Sequence, residues 1–215
     1  MAAQVQDLRR LFSDFRVQSF EECLRETGEG WLLCVPQSFM ITNVEAKLAV
    51  IFGRRSIRVY SPAEVSEAAV QQLLEAAMAA PSAVAKDPWR FVVIRNRPKL
   101  LDLAAALPNG QMLASAALGI AVCGDLPAAH DQQLSYLLQD CSAAIENLLL
   151  CAHILGLGAC WLGVHPREQR VSAVKQILSL PPSVIPVACI AIGHPAEAKE
   201  SRTRFNRDYV HFEKW

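Results

Sequence analysis

The chain has 215 residues, 21 Lys plus Arg against 21 Asp plus Glu, and hence no formal net charge; 52% of it is apolar and 20% charged. Disorder of the whole chain is excluded, because disorder needs low hydrophobicity and high net charge, and nucleic-acid binding by bulk charge is disfavoured for want of a basic surplus. A single domain with an ample core is expected, and the apolar excess implies either an unusually large core or a surface buried against a partner.

The first twenty residues carry Asp7, Arg9, Arg10, Asp14 and Arg16 with no continuous apolar block, so no secretory signal is expected. Residues 1–39 differ from the rest: a short amphipathic segment, Val5 to Phe15, precedes Glu21, Glu22, Glu26 and Glu29 around Gly28 and Gly30. Val44 to Phe52 suits a short helix ending at Gly53. Ser61-Pro62 has the form of a helix start, with Ser as cap, Pro in the first position and Glu64 in the first turn; Leu73, Leu74, Ala77 and Met78 then recur at helical spacing until Pro81. Arg90 to Arg95 is a predicted strand, Pro98 to Ala106 a helix and Leu118 to Cys123 a buried strand. Asp131 to Leu155 is the longest helical stretch, and its wide apolar arc implies burial on more than one side. A strand at Ala159 to Val164, a helix at Arg167 to Leu180 and a strand at Val184 to Ile192 follow, before a polar, charged ending. Strands and helices do not alternate strictly, which favours an α+β fold over a doubly wound sheet.

Asn147 to Pro166 contains no Asp, Glu, Lys or Arg and approaches the length of a membrane span. Gly156 and Gly158 interrupt it, and two buried elements joined by a glycine turn are the expectation. The seven cysteines form no CxxC and sit mostly among aliphatic residues, which reads as small buried hydrophobes in a reducing, cytoplasmic setting; no finger-like ligand spacing suggests zinc.

Arg54-Arg55-Ser56-Ile57-Arg58 places three guanidinium groups and a hydroxyl within five residues, a donor set that suits a phosphate monoester, with a solvated basic turn as the plain alternative. Arg202, Arg204 and Arg207 form a second cluster, readable as anion binding or as scattered surface charge. Pro81 to Trp89 is a rigid loop or an ordinary connection. The glycines of 156–163 lack a P-loop Lys-Ser/Thr, and serve either close approach of backbone to a flat ligand or core packing. His153 on an apolar helix face reads as a core residue. There is no convincing nucleophile or base pair, so no side chain is assigned as catalytic and redox chemistry would require a cofactor.

In order, the segments GRRSIRVY, LLEAAMAAPSA with PW following, DCSAAIENLLLCAHILGLGACWLG, VIPVACIAIGHP and RTRFNRDYVHFEKW resemble the FMN-dependent nitroreductase family over roughly residues 46–215. The resemblance implies a domain over 40–215: a three-layer α-β-α sandwich with a mixed, mainly antiparallel sheet and a long central helix packed on its mate. It further implies a homodimer with FMN in two interface clefts. Arg54 and Ser56 match FMN phosphate and ribityl contacts, with Arg55 between them among the cofactor contacts. Arg58 matches the cation near flavin N1 and O2, as electrostatic support for the reduced ring. Arg202 and Arg204 match a C-terminal phosphate clamp, Leu162 and Gly163 the backbone near N5, and Pro81, Ser82 and Ala83 the loop reaching the partner's flavin.

The activity implied is NADH- or NADPH-dependent, ping-pong reduction of nitroaromatics, quinones or similar flat electrophiles. Reductive dehalogenation or flavin breakdown on the same scaffold, and a non-catalytic FMN-holding protein, are the alternatives. Two residues depart from the family loop PSxxNxQPW: Ala85 stands for the Asn and Asp87 for the Gln, so the loss of an amide near the ring and an acidic group that repels anionic substrates or alters the flavin potential are expected there. Family members often begin near Met40, which makes Met40 the expected natural start or 1–39 a loosely attached extension.

Overall fold

The computed structural model describes the backbone of residues 37–215 and the side chains of residues 44–215. Most of the expected extension 1–39, with Cys23, Cys34 and the Val5 to Phe15 segment, lies outside the described residues. The chain divides into two compact units, Met1–Lys47 and Leu48–Trp215. All elements below belong to the second, apart from the first turns of α1.

Five helices are described: α1 (Gln37–Gly53), α2 (Glu67–Met78), α3 (Arg97–Ala106), α4 (Leu134–Ile154) and α5 (Glu168–Leu178). Four strands, β1 (Trp89–Ile94), β2 (Leu118–Asp125), β3 (Gly158–Gly163) and β4 (Val184–Gly193), form one sheet in the order β1-β2-β4-β3. Every pair of named strands is antiparallel. The mixed character expected of the sheet is confined to one parallel bridge, Ser56 to Ala159.

Ser61-Pro62 does not start a helix. Tyr60 Oη donates to the carbonyls of Ile57 (2.6 Å) and Ala191 (3.2 Å), and Ser61 N–H donates to His194 O (2.9 Å). These bonds hold the chain extended beside the end of β4. The cap is Ser66, whose Oγ accepts from Ala69 N–H (3.2 Å), with Glu67 in the first turn of α2. The expected α4 start at Asp131 is also displaced, because Asp131 and Gln132 adopt positive φ in a short turn ahead of Leu134.

The two central strands divide their side chains between the two faces of the sheet. Leu118, Ile120 and Val122 of β2 and Ile190 and Ile192 of β4 pack with α2 and α4. Ala121, Cys123, Cys189 and Ala191 point to the opposite layer, with α3 and α5. The period of two on these central strands thus gives the two helical layers different partners, mainly bulky toward α2 and α4 and mainly small toward α3 and α5. Pro186 sits in the interior of β4, where a missing N–H would break the ladder. The ladder shifts register there, Val122 pairing with Ala188 but Cys123 with Pro186, and this bulge accommodates the proline.

The wide arc of α4 is covered largely within the chain itself. The sheet covers one side and α2 another, with Asn147 Nδ2 donating to Ala76 O (3.2 Å). Helix α4 ends as expected at a glycine turn: Gly156 has φ +69°, and Leu157 N–H donates to Ala152 O (2.8 Å). Among the described residues no helix is long and apolar enough to cross a membrane.

The five described cysteines are free. Burial pushes the thiols of Cys123, Cys141 and Cys189 up to about 12. Their folded values lie above the unfolded value of about 8.5. Their contribution to stability is therefore complete below that pH and declines as pH rises toward 12. At pH 8 iodoacetamide is expected to leave these three unmodified in the native protein and to label them in urea. Mass spectrometry of the digest reads the result.

Candidate functional site

Residues 54–60 run from the end of α1 along the edge of the sheet. Ile57 N–H donates to Ala159 O (3.0 Å), and Ile57 is buried against Gly158, where a Cβ would meet its Cγ2 at 2.7 Å. That contact turns Ile57 inward, and alternation along an extended segment leaves Ser56 and Arg58 on the opposite side. The other end of the chain secures the segment. Arg58 N–H donates to Glu197 Oε1 (2.5 Å), and Lys199 Nζ donates to Ser56 O (2.7 Å) and pairs with Glu197 (2.9 Å). The Arg58 N–H and Lys199 donors hold the Glu197 carboxyl below its usual range.

Two clefts flank this segment. The first, about 310 Å³, is lined by Arg54, Arg55, His153, Glu197 and Lys199. Arg54 pairs with Glu146 (3.3 Å). Arg55 Nε is buried with no hydrogen-bond partner. Burial, then the nearby charges of Arg202, Arg204 and Arg54, lower the pKa of Arg55. Arg202 and Arg204 therefore lie within electrostatic reach of Arg55, 147 or more residues away in the chain. Arg207 instead lies over the Phe212 ring, 5.5 Å from its centroid. His153 is not a core residue: it is half-buried and lines the cleft, because Gly53 lets its ring approach.

The second cleft, about 490 Å³, is lined by Arg58, Trp161, Leu162, Gly163 and Arg170, and by Asn109 and Gln111. The two readings of the glycine-rich stretch divide by position. Gly158 serves packing against Ile57, whereas a Cβ on Gly163 would meet nothing within 4 Å. Arg170 Nη1 donates to Gly163 O (2.9 Å).

Pro81, Ser82 and Ala83 line neither cleft. They lie beside Asp140 on α4, 13 residues from His153 and so about 20 Å along the helix. Asp87 does not point away freely: Ser82 Oγ donates to its Oδ1 (2.5 Å), and its own N–H donates back to Ser82 Oγ (3.0 Å). Sequence reasoning missed Glu197, Lys199, Arg170 and Asp140. Glu197, Lys199 and Asp140 acquire their places through contacts distant in the chain, and Arg170 through a bond seven residues back to Gly163.

The sequence model of the nitroreductase family matches residues 51–117 and 103–194. The chain belongs to the nitroreductase family. An Archaeoglobus fulgidus protein provisionally named an NADH dehydrogenase/NAD(P)H nitroreductase is 43% identical over 175 residues, 80% of this chain and 100% of its own. A crystal structure under the same name from Bacteroides thetaiotaomicron matches this nitroreductase-family fold with TM-score 0.75 and 37% identity, covering 79% of this chain and 98% of that one. A provisionally named nitroreductase of Desulfovibrio desulfuricans, solved with FMN, matches with TM-score 0.69 and 36% identity over 78% of this chain and 96% of its own.

Proposed function

We propose that the protein is an NAD(P)H-dependent flavin oxidoreductase that holds FMN and reduces nitroaromatics, quinones or similar flat electrophiles in a ping-pong cycle. The observation that carries the reading is the electrostatic reach of Arg54, Arg202 and Arg204 to Arg55, with Arg55 Nε buried and unpaired. An unpaired guanidinium N–H among like charges suits an anion with several acceptor oxygens, and a phosphate monoester has that chemistry. The FMN-bound relative and the NAD(P)H nitroreductase name of the Archaeoglobus relative support cofactor and reductant.

FMN, when bound, supplies hydride acceptance and delivery. The side chains bind and orient. Arg54, Arg55, Arg202 and Arg204 hold the phosphate, and Ser56 adds a neutral donor. Arg58, braced through its backbone by Glu197, offers positive charge to the ring. Leu162 and Gly163 leave the backbone open to it, and Arg170 holds the Gly163 carbonyl. The loop at Pro81, Ser82 and Ala83 serves the site of a second copy in a homodimer. Exposed Ile51, Phe52, Phe212 and Trp215 supply apolar surface for that association. Residues 40–215 form the functional domain, and its location is cytoplasmic, consistent with the free cysteines.

The test is the visible spectrum of the purified full chain with FMN, before and after anaerobic NADPH or NADH. Yellow protein bleached by a nicotinamide is expected. Yellow protein reduced by neither would favour a flavin-holding role, and failure to take up FMN would defeat the reading. Light scattering should return the mass of two protomers. Arg58→Ala is expected to retain FMN and to lower its two-electron potential by about 30 mV, through loss of a charge that favours the reduced ring. An unmoved potential would remove Arg58 from that role.

A further inference from the structure

Asp140 is the single buried charged residue among the described residues, 4% exposed on the middle of α4. A carboxylate inside an apolar layer is costly unless its oxygens are occupied. Oδ1 accepts one hydrogen bond, from Ala83 N–H at 2.8 Å, and Oδ2 is buried with no partner. Nothing in the packing of α4 requires this charge, since its neighbours Leu137, Cys141 and Ala144 are apolar. The contact it makes is with a loop that needs holding. Val84, Ala85 and Asp87 all have positive φ, between 48° and 53°, a region that non-glycine residues avoid. Such conformations persist where the surroundings over-determine them, and they concentrate at ligand contacts.

We propose that Asp140 is the positioning residue for the Ser82–Asp87 turn, holding it from inside the helix layer while Asp87 closes it from within by bonding Ser82. The inference rests on the flavin reading above, under which this turn serves a second copy's site. Ala85 N–H bonds Ser82 O (3.1 Å) and Lys86 N–H bonds Ala83 O (3.2 Å), so the turn is internally closed. The contact from Ala83 to Asp140 links that closed turn to α4. With the anchor in place the turn presents Val84, 70% exposed, as a fixed apolar contact for a flat ligand. Asp87 is then a structural clamp, occupied by Ser82, rather than a group placed to screen substrates by charge.

The experiment compares full-length wild type, Asp140→Ala and Asp140→Asn, each with and without FMN. Asn keeps an acceptor for Ala83 N–H; Ala does not. Trypsin can cut after Lys86, inside the turn, and flavin fluorescence gives the FMN dissociation constant. Asp140→Ala is expected to be cut after Lys86 and to release FMN each about 10-fold more readily than wild type, the scale of one buried hydrogen bond. Asp140→Asn should restore both to within about threefold of wild type. Wild-type rates of cleavage in a folded Asp140→Ala, or an Asn variant as impaired as Ala, would overturn the proposal. Hydrogen exchange on the wild type covers the case in which Asp140→Ala does not fold. The Ala83 amide should exchange as slowly as the amides of β2, and fast exchange there overturns the assignment. If wild type binds no FMN, the flavin reading fails, while cleavage and exchange still decide the role of Asp140.

Discussion

Arg55→Ala is expected to weaken FMN binding about 10- to 100-fold while leaving the melting temperature of the cofactor-free protein unchanged or slightly higher. The two halves come from one arrangement. In the free protein Arg55 has no acceptor for its buried Nε and lies in the field of Arg202, Arg204 and Arg54, so its removal relieves repulsion. A phosphate monoester converts the same repulsion into a shared site, because several guanidinium groups can bond its oxygens together. Fluorescence titration at two salt concentrations, with a thermal melt of the free protein, provides the check. Affinity should fall with salt in wild type and fall less steeply in the variant, because part of the attraction is exposed and screened. An Arg55→Ala protein that binds FMN normally would remove Arg55 from the site, and one that loses stability along with affinity would show Arg55 to be structural.

Gly124→Ala is expected to cost about 2–3 kcal/mol of stability, seen as a fall of about 5–10 °C in melting temperature. A Cβ at this position of β2 would lie 2.3 Å from Leu137 Cγ and under 3 Å from both its Cδ atoms. Leu137 is fully buried at the start of α4, and its contact is the branch point of the side chain as well as its ends. Rotation of the side chain alone therefore cannot clear the space. Leu137→Ala is itself expected to cost about 2–5 kcal/mol by leaving a cavity. In the double variant the new methyl enters that cavity, and the two losses should fall short of their sum by about 1 kcal/mol or more. Denaturant melts of the four proteins measure the coupling. Strict additivity would mean that β2 and α4 separate to admit the methyl, contrary to the close packing of this layer.

Much of this architecture is legible locally. The continuous apolar runs at Leu118 to Cys123 and Val184 to Ile192 are the two central strands, because strands covered on both faces need no polar side. The glycine end of α4 and the helix at α5 follow from short-range signals. The Ser61-Pro62 signal failed because it competed with bonds from Tyr60 and Ser61 to residues more than 130 positions away. Ser66, the cap in fact used, carries a similar local signal, and nothing within ten residues chooses between the two. The wide apolar arc of α4 correctly indicated burial on several sides, but the choice between α2 and a second copy as the cover lies outside the sequence of the helix.

The candidate site divides the same way. Arg54, Arg55, Ser56 and Arg58 stand out in the sequence as a candidate anion-binding set, with a solvated basic turn as the alternative, because both readings depend on residue type and close spacing. The sequence by itself determined the family, the strand and helix content and the presence of two arginine clusters. Only the tertiary structure decided that Arg202 and Arg204 come within electrostatic reach of Arg55, that Glu197 and Lys199 brace the backbone of Ser56 and Arg58, and that Asp87 faces Ser82. The reason is physical. Periodicity and capping are local properties of a chain, whereas the partner of a charged group is set by which elements the two core layers bring together. Asp140 makes the distinction plainest: in the sequence it is one acidic residue on a helix, and in the fold it is a buried carboxylate holding the turn before β1.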